Sequence, residues 1–81
     1  MEMIDDSKFT YEKDWTEIYQ LLEFAEAERA KHKKLIHDKN TSMKEKAKHM
    51  RDYKGLQGVC YSLRWVMGDP QISLNKVLGR E

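Results

Sequence analysis

The chain has 81 residues, a net charge of +1 and 36% charged residues. A chain this short supports one domain with a thin core, which usually needs a staple or a second subunit to be stable. Its one cysteine, Cys60, excludes an internal disulfide, and no run approaches the ~18 consecutive apolar residues of a membrane-spanning helix.

Residues 1–13 read as an irregular acidic leader, with Phe9 and Tyr11 able to tuck onto the body. The opening MEMIDDSKFTYEKD lacks the apolar stretch of a signal peptide, so a cytoplasmic location is expected. Asp14 and Glu17 then have the spacing of a reciprocal helix cap. Trp15, Ile18, Leu22, Ala25, Arg29, His32 and Ile36 follow at alternating three- and four-residue steps, which puts them on one helix face. Leu21, Phe24 and Leu35 widen that face. Helix 1 is predicted over about 14–38.

The composition of Asp38 to Ser42 is that of a turn, and Ser42 with Glu45 repeats the cap pattern at the start of a second helix. This helix, about 42–67, carries a stripe of His49, Tyr53, Leu56, Cys60, Leu63 and Met67 and stops at Gly68. Cys60 reads as a small buried hydrophobe rather than a reactive thiol. A short third helix is predicted over about 70–78, capped by Asp69, with Pro70 at its first position. The expected fold is all-α, a single domain over 1–81. Two long helices joined by so short a turn must lie antiparallel. A turn centred between Asn40 and Thr41 sets Ile18 opposite Leu63, Ala25 opposite Leu56, Arg29 opposite Asp52, and His32 opposite His49.

Gly55, Gly58 and Ser62 share one side of helix 2, and small residues there let another helix approach closely. Between Leu56 and Met67 the helix is apolar almost all round, as in a helix covered on more than one side. Helix 1 can shield one side only, so helix 3, the leader or a second subunit must cover the rest, and a homo-oligomer is the favoured expectation. A dimer completing a four-helix bundle is favoured, with Ile18, Gly55, Gly58, Tyr61, Ser62, Leu63 and Trp65 at the interface. The competing readings of the glycines are a kink or the G-x-x-G clamp of KH domains on nucleic acid. The clamp would need a three-stranded sheet that no stretch here supports.

The charge is strongly divided. Residues 1–28 hold nine acids and two bases, and residues 29–54 hold ten bases and three acids. The basic segment falls on both arms and the turn of the hairpin. It reads either as a solvated tip or as a docking surface. As a docking surface, Lys33, Lys34, Lys44, Lys48 and Arg51 would meet a protein partner, the chain's own acidic half in another copy, or the phosphates of a nucleic acid or nucleotide. Lysines outnumber arginines eight to two in this segment, and Tyr53 alone could stack on a base, so a protein partner is the favoured expectation.

All three histidines lie in the basic segment. His32 and His49, each with a glutamate four residues before it (Glu28 and Glu45), could form a two-histidine metal site. The surrounding lysines disfavour a cation, so no metal and no cofactor are expected, and the pair reads as partly buried histidines at the polar end of the seam. Protonating both would strain the tip. His37 faces elsewhere. There is no nucleophile–base–orienter set, no phosphate-binding glycine loop in a suitable context, and no deep pocket is expected in a hairpin, so the chain is not expected to be an enzyme.

Arg51 to Asp69, RDYKGLQGVCYSLRWVMGD, resembles the C-terminal helix of small helical-hairpin proteins encoded by bacteriophages. The likeness rests on Tyr53, Gly58, the run Leu63–Arg64–Trp65–Val66, and the Gly68–Asp69 end. It covers under a quarter of the chain. It implies a small protein of the bacterial cytoplasm that binds, and often blocks, a host or defence factor by oligomerising. It assigns no functional residue.

Overall fold

The computed structural model describes residues 13–80; the expected leader, including Phe9 and Tyr11, lies outside this range. Among the described residues the chain forms three helices and no strand: α1 (Trp15–Ile36), α2 (Met43–Val66) and α3 (Leu74–Val77).

The polar residues that flank the apolar stripes set the helix ends. The Asp14 side chain accepts from the Glu17 N–H at 2.9 Å, and the Glu17 carboxylate accepts from the Asp14 N–H at 3.3 Å, so both halves of the cap form. α1 closes at His37. Asp38 then turns the chain, its carboxylate accepting from the Asn40 N–H at 2.9 Å and its carbonyl from the Thr41 N–H at 3.3 Å. Ser42 starts α2 by accepting from the Glu45 N–H at 3.2 Å. α2 runs unbroken through Gly55 and Gly58, which removes the clamp-loop reading of those glycines. It ends where Gly68 takes φ +85°, a left-handed value that suits glycine. The Gly68 N–H reaches the Trp65 carbonyl at 3.0 Å and the Asp69 N–H reaches the Arg64 carbonyl at 2.9 Å.

The third helix is shorter than the sequence suggests. Pro70 does not begin it. Asp69 closes a turn instead, its carboxylate accepting from the Gln71 N–H at 2.9 Å and its carbonyl from the Ile72 N–H at 3.2 Å. Ser73 becomes the cap, accepting from the Lys76 N–H at 3.1 Å, and four residues of helix follow before Gly79 ends them at φ +73°. An aspartate beside a proline can cap a helix or close a local turn with the same oxygens, and here the turn wins.

α1 and α2 pack against each other as a hairpin, and α3 packs back on α2. The core is thin. Leu22, Ala25 and Cys60 are buried, with Leu56 and Leu63 partly buried against them. Ala25 and Leu56 therefore meet in one cluster, as the antiparallel register requires. The residues expected to widen the α1 face divide: Leu35 is half-buried, whereas Leu21 and Phe24 face outward, and Trp15 at the head of the stripe is also exposed.

Candidate functional site: the hairpin tip and an uncovered apolar face

Two features stand out on this scaffold. The first is at the basic tip. Antiparallel packing brings His32 of α1 against His49 of α2, with their Nδ1 atoms 2.9 Å apart. The rings lie 5.1 Å apart at their centres and tilt by 41°. Both are half-buried. At this distance one imidazole donates its Nδ1–H to the bare Nδ1 of the other. Asp52 joins the pair. It sits three residues after His49, on the same side of α2, and one carboxylate oxygen and one nitrogen of each histidine all lie within 4.8 Å of one another.

The expected Arg29–Asp52 ion pair does not form among the described residues. Helix register alone pairs Asp52 with Arg29 and does not reveal its place beside the histidines. The available signal was the i, i+3 spacing of His49 and Asp52, which stacks the two side chains one turn apart. Glu45, the expected carboxylate partner of His49, is not part of the cluster. Glu28, the expected partner of His32, borders an open hollow with His32, Arg51, Asp52, Phe24 and Gly55. Lys33, Lys34, Lys44, Lys48 and Arg51 are all exposed around this end of the hairpin.

The second feature is apolar surface that the hairpin does not cover. Phe24 is 64% exposed and Trp65 48% exposed, and Trp15, Tyr19, Leu21, Val59, Val66 and Met67 are also open to solvent. On α2, Gly55, Val59, Ser62 and Val66 follow at four-, three- and four-residue steps, which aligns them on one stripe away from the buried Cys60. Among the described residues, apart from the adjoining residues and backbone of the helix itself, no atom comes within 4 Å of where a Cβ would sit on Gly55 or Gly58. The space these glycines leave is therefore not taken up by the described residues.

The other expected interface residues divide. Ile18 is half-buried and Leu63 packs on the core. Ser62 donates to the Gly58 carbonyl at 2.8 Å, within its own helix. Tyr61 is occupied within the chain. Its hydroxyl accepts from the Gln57 amide at 2.9 Å, and the Lys76 ammonium of α3 lies 5.8 Å from its ring centre. α3 therefore takes the Tyr61 side of α2, and the Val59–Val66 stripe is left open.

Two electrostatic details frame the region. Arg64 bridges α1 and the end of α2, bonding to Glu26 and, at 3.3 Å, to Asp69. Burial pulls its guanidinium down, but the bond and charge of Glu26, then of Asp69, outweigh it and leave Arg64 raised above its ordinary value. Burial likewise pushes the Cys60 thiol up, with the Glu26 charge adding to the rise, while the positive charges of Arg29 and Arg64 only partly oppose it. A buried, protonated thiol is a packing group rather than a nucleophile. No helix among the described residues is long and apolar enough to cross a membrane. No protein-family model, curated protein or solved structure matches the chain.

Proposed function

We propose that this chain is a small protein-binding module that completes its core against a second copy of itself and carries no catalytic activity of its own. One observation carries this reading: more large apolar side chains lie open on the hairpin than lie buried within it. A hairpin whose buried core among the described residues is Leu22, Ala25 and Cys60 has little apolar burial to offset its chain entropy. A second hairpin laid on the Gly55–Val59–Ser62–Val66 stripe would cover it and bring Leu21 and Phe24 under the same contact.

The charge pattern favours a second copy over an unrelated occupant. In the described residues Asp14, Glu17 and Glu23 set exposed carboxylates toward the open end of α1, while the tip holds Lys33, Lys34, Lys44, Lys48 and Arg51. Two hairpins packed antiparallel set each acidic end beside the other's basic tip, which guides the encounter and selects one orientation. The result is a four-helix bundle. Its lysines remain available to an acidic partner protein, and the likeness of residues 51–69 to phage-encoded hairpins supports a host-directed, blocking role for that contact.

Sedimentation and light scattering over a concentration series test the assembly. A concentration-dependent dimer supports the reading, and a well-folded monomer at all concentrations refutes it. Titration of DNA, RNA and nucleotides at two salt concentrations tests the rival use of the tip. Tight binding with a steep salt slope would replace a protein partner with a phosphate-bearing one.

A further inference from the structure

The tip holds a second chemistry that the assembly does not use. His32 Nδ1 and His49 Nδ1 face each other at 2.9 Å, and Asp52 brings a carboxylate into the same space. We propose that His32, His49 and Asp52 form a binding site for a divalent late transition-metal ion, which clips α1 to α2 at the turn end of the hairpin.

The donor set is the first reason. Two imidazoles and a carboxylate on two helices form the two-histidine, one-carboxylate combination that suits late first-row metals, with further positions left for water or an outside ligand. Among the described residues neither histidine bonds to any side chain but the other. Each presents its Nδ1 to the other, and among the described residues the one side-chain hydrogen bond they make is the one that a metal would replace. Binding moves the shared proton from Nδ1 to Nε2 of the imidazole that held it. Both Nδ1 lone pairs then face the ion, and each Nε2–H points away from it.

The spacing is the second reason. An ion held ~2.0–2.1 Å from both nitrogens, the usual metal–imidazole distance, sees nitrogens 2.9 Å apart at about a right angle. Right angles belong to octahedral and tetragonal ions such as Ni2+ and Cu2+. A tetrahedral zinc site would need the two nitrogens roughly 0.4 Å farther apart.

The surroundings are the third. The hollow bordered by His32, Asp52, Glu28 and Arg51 opens beside the ligands, so the ion has an entry path and room for water. The Asp52 carboxylate, with Glu28 at the rim, offsets the nearby lysines that would otherwise repel a cation. Arg51 at the same rim can hold an anionic co-ligand. The physical use is plain: a chain with so small a core gains a staple between its two long helices.

The test uses the full chain, with Cu2+ and Ni2+ as probes. Calorimetric titration is expected to give one saturable site per chain, with a rise in melting temperature. Paramagnetic resonance of the copper form is expected to show coupling to two imidazole nitrogens. Asp52 is exposed, so Asp52→Asn preserves the fold, and it is expected to weaken binding more than about tenfold, the lower bound for losing even a supporting partner of a ligand. His32→Ala and His49→Ala are expected to remove the two-nitrogen signature, with helicity checked by circular dichroism. His37→Ala, on an exposed histidine outside the cluster, is expected to leave binding unchanged. Absence of saturable binding to the unaltered chain overturns the proposal. So does binding that persists at full strength in both Asp52→Asn and His32→Ala.

Discussion

Arg64 of α2 reaches back along the hairpin to the carboxylate of Glu26 on α1 while its other terminal nitrogen holds Asp69 at 3.3 Å. One guanidinium therefore ties the two long helices to the turn that leads into α3. The side chains of Arg64 and Glu26 each keep about a third of their surface in water, so the pair is screened and its contribution is modest. Arg64→Ala is expected to lower stability by up to about 1 kcal/mol. Urea unfolding at low and high salt measures it. The loss should shrink as salt rises, and a loss that ignores salt would assign the effect to the packing of the Arg64 stem instead.

Trp65 separates a solitary hairpin from an assembled one. In a single chain the indole is half open, and its truncation would cost little. If a second copy covers it, Trp65→Ala loses on the order of 3 kcal/mol, the cost of removing a buried aromatic, and the dimer dissociates in sedimentation. The fluorescence of the protein should also shift to the red on dilution.

The glycines of α2 give a prediction whose sign differs between the two states. Beyond its own stretch of helix, an alanine at Gly55 or Gly58 meets no described atom within 4 Å, and it raises helix propensity by about 1 kcal/mol. Gly55→Ala should therefore raise the melting temperature of the monomer. At an interface that needs close approach, the added methyl holds the partner helix away. The same variant should then dimerise less tightly, and melting scans at low and high protein concentration read both effects.

Cys60 is fully buried, and burial raises its thiol above the ordinary range. The folded chain thus keeps its proton where the unfolded chain gives it up. Below the ordinary thiol range, both states are protonated and this group makes stability independent of pH. As pH rises through that range the unfolded chain alone ionises, so stability falls. Cys60→Ser would bury a hydroxyl and confuse the comparison. Cys60→Ala should remove this alkaline slope, at the cost of a small cavity. Thiol labelling should be slow in the native protein and rapid in urea.

The reciprocal cap at the head of α1 can be measured directly. Asp14 accepts from the Glu17 N–H at 2.9 Å on an exposed helix end, so Asp14→Ala should cost about 1 kcal/mol. Asp14→Asn should recover most of it, because the amide oxygen can still accept the bond.

The local rules of the chain determined its elements. Asp14, Ser42 and Gly68 mark helix ends wherever they stand beside an apolar stripe, because exposed N–H groups need acceptors and a left-handed stop suits glycine. The short turn at Asp38 to Ser42 forces an antiparallel hairpin, and that alone was enough to bring His32 to His49. Tertiary structure decided the rest. Asp52 could serve Arg29 or the histidines with the same oxygens, and helix register cannot choose between two partners within reach of one flexible side chain. Asp69 could cap a helix or close a turn, and the Arg64 guanidinium beside it in space is invisible to sequence spacing. Which face of α2 stays open was also beyond the pattern, because a helix that is apolar all round carries no mark of its neighbours. It took the docking of α3 on the Tyr61 side to leave Val59 and Val66, with Trp65 beside them, uncovered among the described residues.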